Sequence, residues 1–83
     1  MMTVAERVKH VVARQLKVKL EDIHDSSDFV KDLGADSMAS IELVAAFEAE
    51  FDIEMDEDAA LSVKTVGKAV EFIENVLKQQ HGS

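Results

Sequence analysis

Apolar residues recur at helical spacing in three stretches of the chain and fall irregularly between them. In the first stretch, Val4, Val8, Val11, Val12 and Leu16 share a face, with Arg7, Lys9 and Arg14 set between them. That is the pattern of a helix burying one stripe. Thr3 followed by Glu6 fits a capping box, in which each side chain satisfies a free backbone N–H of the first turn. A helix is expected over about residues 3–16. Its valines carry a mild propensity cost, because β-branching stiffens the side chain against the preceding turn.

Residues 17–36 break the period and read as a long connection. Residues 16–20 alternate apolar and basic, as a strand would, but no second strand is in sight to pair with, so an extended start to the loop is preferred. Ser26, Ser27, Asp28 and Gly34 oppose a continuous helix, yet Val18, Leu20, Ile23, Phe29 and Leu33 call for burial. A loop this long in a compact domain packs its own side chains or serves a function. It is expected to lie across the helices, pinned by Phe29 and Leu33, with room for one short helical turn.

The second periodic stretch covers residues 37–51. At roughly 100° per residue, Ser40, Leu43, Val44, Phe47 and Phe51 form a core stripe. Met38, Ile41, Glu42, Ala45, Glu48 and Ala49 fall opposite, mixing apolar with acidic side chains. Either a neighbouring element covers Met38 and Ile41, or they are a docking patch. Residues 52–61 are acidic and then alanine-rich, predicting a loop and a short helix at about 57–61. A last helix starts after Thr65, a good N-cap, with Val66, Ala69, Val70, Ile73 and Leu77 as its stripe and Phe72 and Val76 beside it. Gly67 falls in its first turn, where glycine costs least, and residues 79–83 are expected to fray. The expected fold is all-α: one domain over residues 1–83, a four-helix bundle with a long loop between helices 1 and 2 and a short helix 3.

Composition narrows the function classes. Eighty-three residues bury a modest core, and there is no cysteine for a disulfide or a thiolate-bound zinc. Any thiol chemistry must therefore be supplied by something added. No secretory signal is visible and no run approaches the ~20 apolar residues of a membrane span, so a cytoplasmic protein without stable membrane insertion is expected. The formal net charge is −8, and it is unevenly spread: residues 32–63 hold ten acids and no lysine or arginine, while all nine basic residues lie outside. Such a block repels nucleic acid and draws in basic partners. A solvated face kept for solubility has the same composition.

Ser37 stands where the loop becomes the second helix, behind Asp36. As a catalytic nucleophile it would need a base within reach and an oxyanion hole. The flanking sequence is not Gly-x-Ser-x-Gly, and the only histidines are His10, His24 and His81, so the chain is not expected to be an enzyme. Ser37 or Asp36 could serve as a plain helix cap. Ser37 also suits a phosphate ester, since a helix N-terminus offers free N–H groups and the positive end of a dipole.

Gly34-Ala35-Asp36-Ser37, with Glu42-Leu43-Val44 and Phe51 behind it, resembles the modification site of acyl carrier proteins. The likeness covers most of the chain: first helix, long connection, Asp36–Ser37 opening the second helix, acidic turn, short third helix, and a Thr65–Val66 start to the last. The resemblance implies that Ser37 carries 4′-phosphopantetheine, donated from coenzyme A by a separate Mg²⁺-dependent phosphopantetheinyl transferase. It implies that Asp36, Met38, Ile41, Glu42 and Glu48 contact partners. Those partners would be acyl-loading, synthase and acyltransferase enzymes of fatty acid, polyketide or specialised lipid biosynthesis, with basic docking patches, and the carrier would act as a monomer. It also implies an acyl chain folded back near Phe29, Ala46, Leu61 and Val63. Two departures stand out. Ala39 replaces a frequent acid, removing a charge from the face partners read, and an acid near Asp56 replaces a frequent proline.

The run Asp52, Glu54, Asp56, Asp58 invites a calcium reading. An EF-hand loop beginning at Asp52 would want glycine and glutamate where Glu57 and Val63 stand, so that template fails, and no metal ligands are assigned. A weak divalent-ion site of clustered carboxylates stays open, whereas His24 with Asp22, Asp25 and Asp28 reads as an exposed loop histidine among acids and not as a ligand. The rival functions are a noncatalytic acidic helical adaptor and a calcium-responsive helical protein.

Overall fold

The structure is a computed structural model and describes residues 1–81, with the backbone alone at His81. Four helices follow in order: α1, Val4–Leu16; α2, Ser37–Phe51; α3, Glu57–Leu61; and α4, Val66–His81. Among the described residues there is no strand, only an isolated bridge between Asp28 and Thr65. This is the four-helix, all-α arrangement the periodicity predicts, with a 3₁₀ turn at Leu20–Asp22 inside the long connection.

The start of α1 follows from its sequence. Thr3 Oγ1 accepts from the Glu6 N–H at 3.1 Å, and Glu6 Oε1 accepts from the Thr3 N–H at 2.8 Å, a complete capping box. The helix ends at Lys17, whose φ of 57° turns the chain sharply. Val8, Val11 and Val12 are buried, and α1 packs on both α2 and α4. From α2 come Leu43, Phe47 and Phe51, and from α4 Val66, Ala69 and Ile73. Arg7 fastens α1 to the end of α2. Its Nε donates to Glu50 Oε2 at 3.0 Å, its Nη2 donates to the Glu50 carbonyl at 2.8 Å, and its guanidinium lies 4.4 Å from the Phe51 ring centre.

The long connection lies across the helices as expected. Ile23, Phe29, Leu33 and Ala35 are buried in the core. Leu20 departs from expectation. It opens the 3₁₀ turn with its side chain outward and is 41% exposed. Three backbone bonds stitch the loop to the α3–α4 junction: Phe29 N–H to Lys64 C=O, Val66 N–H to Ser27 C=O, and Gly67 N–H to Asp25 C=O. A Cβ at position 67 would meet the Asp25 carbonyl oxygen at 3.1 Å, so Gly67 is there for that close approach.

Gln79, Gln80 and His81, within the segment expected to fray, are helical and belong to α4. The Gln80 side chain is bonded to Glu54, which ties down the final turn. Residues 82–83, also expected to fray, lie outside the described residues.

Candidate functional site

The loop aims the chain at Ser37. The Asp28 carboxylate accepts from the N–H groups of Val30 and Lys31, both at 2.9 Å, winding residues 28–33 into consecutive turns. The Lys31 bond, with the Val30 bond and nearby lysine charge behind it, holds the Asp28 pKa below its ordinary value. Gly34, at φ +74°, then reverses the path, and the Ala35 N–H bonds back to the Phe29 carbonyl. Ala35 is buried, which delivers Asp36 and Ser37 to the head of α2.

Of the two candidate caps, Asp36 does the capping. Its Oδ1 accepts from the Ala39 N–H at 2.8 Å. Ser37 is the first helical residue and is exposed, and among the described residues no hydrogen bond engages its hydroxyl. The N–H groups of this first turn have no carbonyl four residues back to bond, so they point toward whatever sits at the helix start. Among the described residues no histidine or other base bonds to the Ser37 hydroxyl. An acceptor hydroxyl beside a positive helix end, with no base to activate it, suits covalent loading by another enzyme.

Met38 and Ile41 are 65% and 45% exposed, so no element of the fold covers them. Ser37 and Ile41 are neighbours at i, i+4, as are Met38 and Glu42. Glu42 is exposed, with no partner among the described residues. Glu48, seven residues beyond Ile41 on the same face, is half-buried and already engaged. Its Oε2 accepts from the Met55 N–H at 2.9 Å. The residue at 39, where the resemblance has an acid, is a half-buried alanine packed on the core.

An open depression beside Ser37 is lined by Val30, Ala35, Asp36, Ser40, Ile41 and Leu61. Val30, Ser40 and Leu61 also line a second, more enclosed and mostly apolar cavity of about 370 Å³, so they stand between the serine and the interior. Its deeper walls include Phe29, Leu43, Val44, Phe47, Met55, Val63 and Phe72. Three of the four residues expected near a folded-back chain line it; Ala46 does not, and packs on the core instead.

The acidic run does not converge on an ion. Asp52 is the left-handed C-cap of α2, Asp56 precedes α3, and Asp58 lies in the first turn of α3. Among the described residues no group of three or more His, Cys, Asp or Glu side chains could hold a metal ion, and that includes the surroundings of His24. Among the described residues no helix is long and apolar enough to cross a membrane.

Two structural residues escaped the sequence pattern. Ser27 is buried, its Oγ accepting from the His24 N–H at 2.9 Å. Gln80 grips a residue 26 positions away. The available signal for Ser27 was a small polar residue in a long loop rich in apolar side chains; for Gln80 it was a polar residue seven positions after Ile73, in line with the apolar stripe of α4.

Comparison with known proteins bears on what the exposed serine and the cavity are for. The family model described as a phosphopantetheine attachment site matches residues 6–73. An acyl carrier protein of Sinorhizobium fredii (strain NBRC 101917 / NGR234) is 51% identical over 74 residues, spanning 89% of this chain and 95% of the relative. A solved structure described as an acyl carrier protein from Mycobacterium tuberculosis superposes with a TM-score of 0.81 at 29% identity, covering 88% of this chain and 97% of that one. The chain belongs to the acyl carrier proteins, non-enzymatic carriers that hold acyl groups on covalently attached 4′-phosphopantetheine and exchange them with synthases, transferases and acyltransferases.

Proposed function

We propose that Ser37 Oγ is the hydroxyl that carries the 4′-phosphopantetheine, and that Asp36, Met38, Ile41, Glu42 and Glu48 form the face that partner enzymes grip. The observation that carries this is the division of labour at the head of α2. Asp36 takes the capping bond, which leaves the serine hydroxyl exposed and uncommitted. The positive end of α2 favours the phosphodiester such a linkage leaves behind. When attached, the arm supplies a terminal thiol on which acyl groups ride as thioesters, a group this cysteine-free chain lacks.

The chain's own residues supply encounter and orientation. Glu42 is the acid near Ser37 best placed to meet a lysine or arginine of a phosphopantetheinyl transferase, an acyl-loading enzyme, a synthase or an acyltransferase. Exposed ion pairs contribute about 0–1 kcal/mol each and are screened by salt, so docking is weak and reversible, as a shuttle requires. Met38 and Ile41 add apolar contact. Glu48 serves in part by holding the turn after α2 through Met55. The acyl chain enters past Val30, Ser40 and Leu61 into the cavity, where each buried methylene gains about 0.8 kcal/mol. Tethering raises the acyl group's local concentration at a docked enzyme. The chain works in this reading as a cytoplasmic monomer, without nucleic acid or stable membrane insertion among its partnerships.

Incubation with coenzyme A, Mg²⁺ and a broad-specificity phosphopantetheinyl transferase tests the assignment. The intact mass of the wild-type chain rises by one phosphopantetheinyl group and that of Ser37→Ala does not. A mass gain in Ser37→Ala sinks the site.

A further inference from the structure

The far end of the cavity is held by contacts that carrying and docking do not require. Met55 lines the cavity, and the main chain around it is gripped from two helices. Its own N–H donates to Glu48 Oε2 of α2 at 2.9 Å. One residue earlier, Glu54 is bracketed by the side-chain amide of Gln80 near the end of α4. The Glu54 N–H donates to Gln80 Oε1 at 3.0 Å, and Gln80 Nε2 donates to the Glu54 carbonyl at 2.7 Å. A primary amide carries one donor group and one acceptor at a fixed separation, so it can satisfy both backbone groups of one residue, as a strand neighbour would. Ile53, before it, is buried and bonds through its N–H to the Glu48 carbonyl. Residues 53–55 are therefore each fixed, and none of them can shift without breaking a bond.

This is the end remote from the serine. Ser40 lines both the depression beside Ser37 and the cavity, whereas Phe47 and Met55 line the cavity alone. Phe47 is ten residues beyond Ser37, about 15 Å along the axis of α2 at 1.5 Å per residue. Met55 is tied to the same stretch of α2 through its bond to Glu48, and it lines the cavity together with Phe47. A chain that enters past Ser40 runs toward Phe47 and ends against Met55.

We propose that Gln80, acting through Glu54, is a positioning residue that sets the longest acyl chain the cavity accepts, by holding Met55 in place as its end wall. This rests on the reading that the acyl chain lies in the cavity. Gln80 touches neither the prosthetic group nor the acyl chain. It fixes the segment that does the stopping.

The test uses the intact phosphopantetheinylated chain, loaded in turn with saturated acyl groups from butanoyl to hexadecanoyl, each with an isotope-labelled terminal methyl. Through-space NMR contacts from that methyl to the Met55 and Phe47 side chains are recorded along the series. In the wild-type chain the contacts appear once the chain is long enough to reach the wall and are lost beyond a limiting length. Gln80→Ala shifts that limit to a longer chain while shorter chains keep their wild-type contacts, and Met55→Ala, which removes the wall directly, shifts it the same way. A limit that moves in Met55→Ala but not in Gln80→Ala overturns the clamp and leaves the cavity reading standing. Equal weakening at every length in Gln80→Ala also overturns it, because a general loss of stability gives that pattern. Absence of contacts at any length in the wild-type chain removes the cavity reading and the clamp together.

Discussion

Replacing Asp36 separates the capping role seen in the structure from the recognition role proposed for the same carboxylate. Its Oδ1 caps α2 through the Ala39 N–H at 2.8 Å, and its charge stands beside the exposed Ser37. Loss of an N-cap side chain costs about 0.5–2 kcal/mol, and a carboxylate at a helix N-terminus adds about 0.3–1 kcal/mol at an exposed site. Asp36→Ala removes both, so a loss of about 1–2 kcal/mol is expected. At about 4–8 °C per kcal/mol for a domain of this size, Tm falls by roughly 5–15 °C. Asp36→Asn keeps an oxygen for the Ala39 N–H and loses only the charge, so its cost stays under about 1 kcal/mol. Urea denaturation of the three proteins reads the stabilities directly, and the initial rate of phosphopantetheinyl loading at low salt reads recognition. The expected pattern is a near-wild-type fold with slowed loading for Asp36→Asn, and losses in both for Asp36→Ala. Asp36→Ala as stable as the wild type would refute the capping assignment. Asp36→Asn loading at the wild-type rate would refute a recognition role for the charge.

Three further outcomes follow from the same structure. Ile73 is fully buried, so Ile73→Ala should cost about 2–5 kcal/mol against a total of about 4–12 kcal/mol for a chain of this length, measured by denaturant unfolding; a cost below about 1 kcal/mol would contradict its place in the core. Glu42→Lys should slow transferase and synthase reactions at low ionic strength, with the deficit shrinking as salt shortens the Debye length; equal rates at low salt would remove Glu42 from the docking face. Glu6, bonded by the Thr3 N–H and hydroxyl, and Asp28, bonded by the N–H groups of Lys31 and Val30, both have lowered pKa values. Protons therefore bind these groups more readily in the unfolded chain, and their stabilisation is complete above the ordinary carboxylate range and lost as pH falls through the lowered values. The acid limb of stability against pH should flatten in a Glu6→Gln, Asp28→Asn double variant, and an unchanged limb would show that neither carboxylate contributes.

What could be read in advance was whatever short-range chemistry encodes. The Thr3–Glu6 box, the bounds of α2 and α3 and the buried faces of α1 and α4 follow from spacing, because helical neighbours are three and four residues apart. Asp36 before Ser37 is a local signal too, although only the coordinates show which of the pair caps the helix. Features that depend on contacts distant in sequence were not legible. Gly67 looked like a cheap residue in a first turn, yet it is there because the Asp25 carbonyl approaches it. Glu48 reads as a surface acid, and its carboxylate is spent on Met55. Leu20 reads as a core residue, but the 3₁₀ turn points it outward. Gln80 falls in line with Val66, Ile73 and Leu77 on the apolar stripe of α4, but no pattern pairs it with Glu54.

Peptide mapping of the loaded chain tests the central assignment most directly. Trypsin cuts after Lys31 and Lys64 and finds no lysine or arginine between them, so Ser37 leaves in one peptide together with Ser40 and Ser62. Fragmentation of that peptide should place the whole phosphopantetheinyl mass on Ser37, with Ser40 and Ser62 unmodified. An adduct on Ser40 or Ser62, or on a peptide from elsewhere in the chain, would contradict the account.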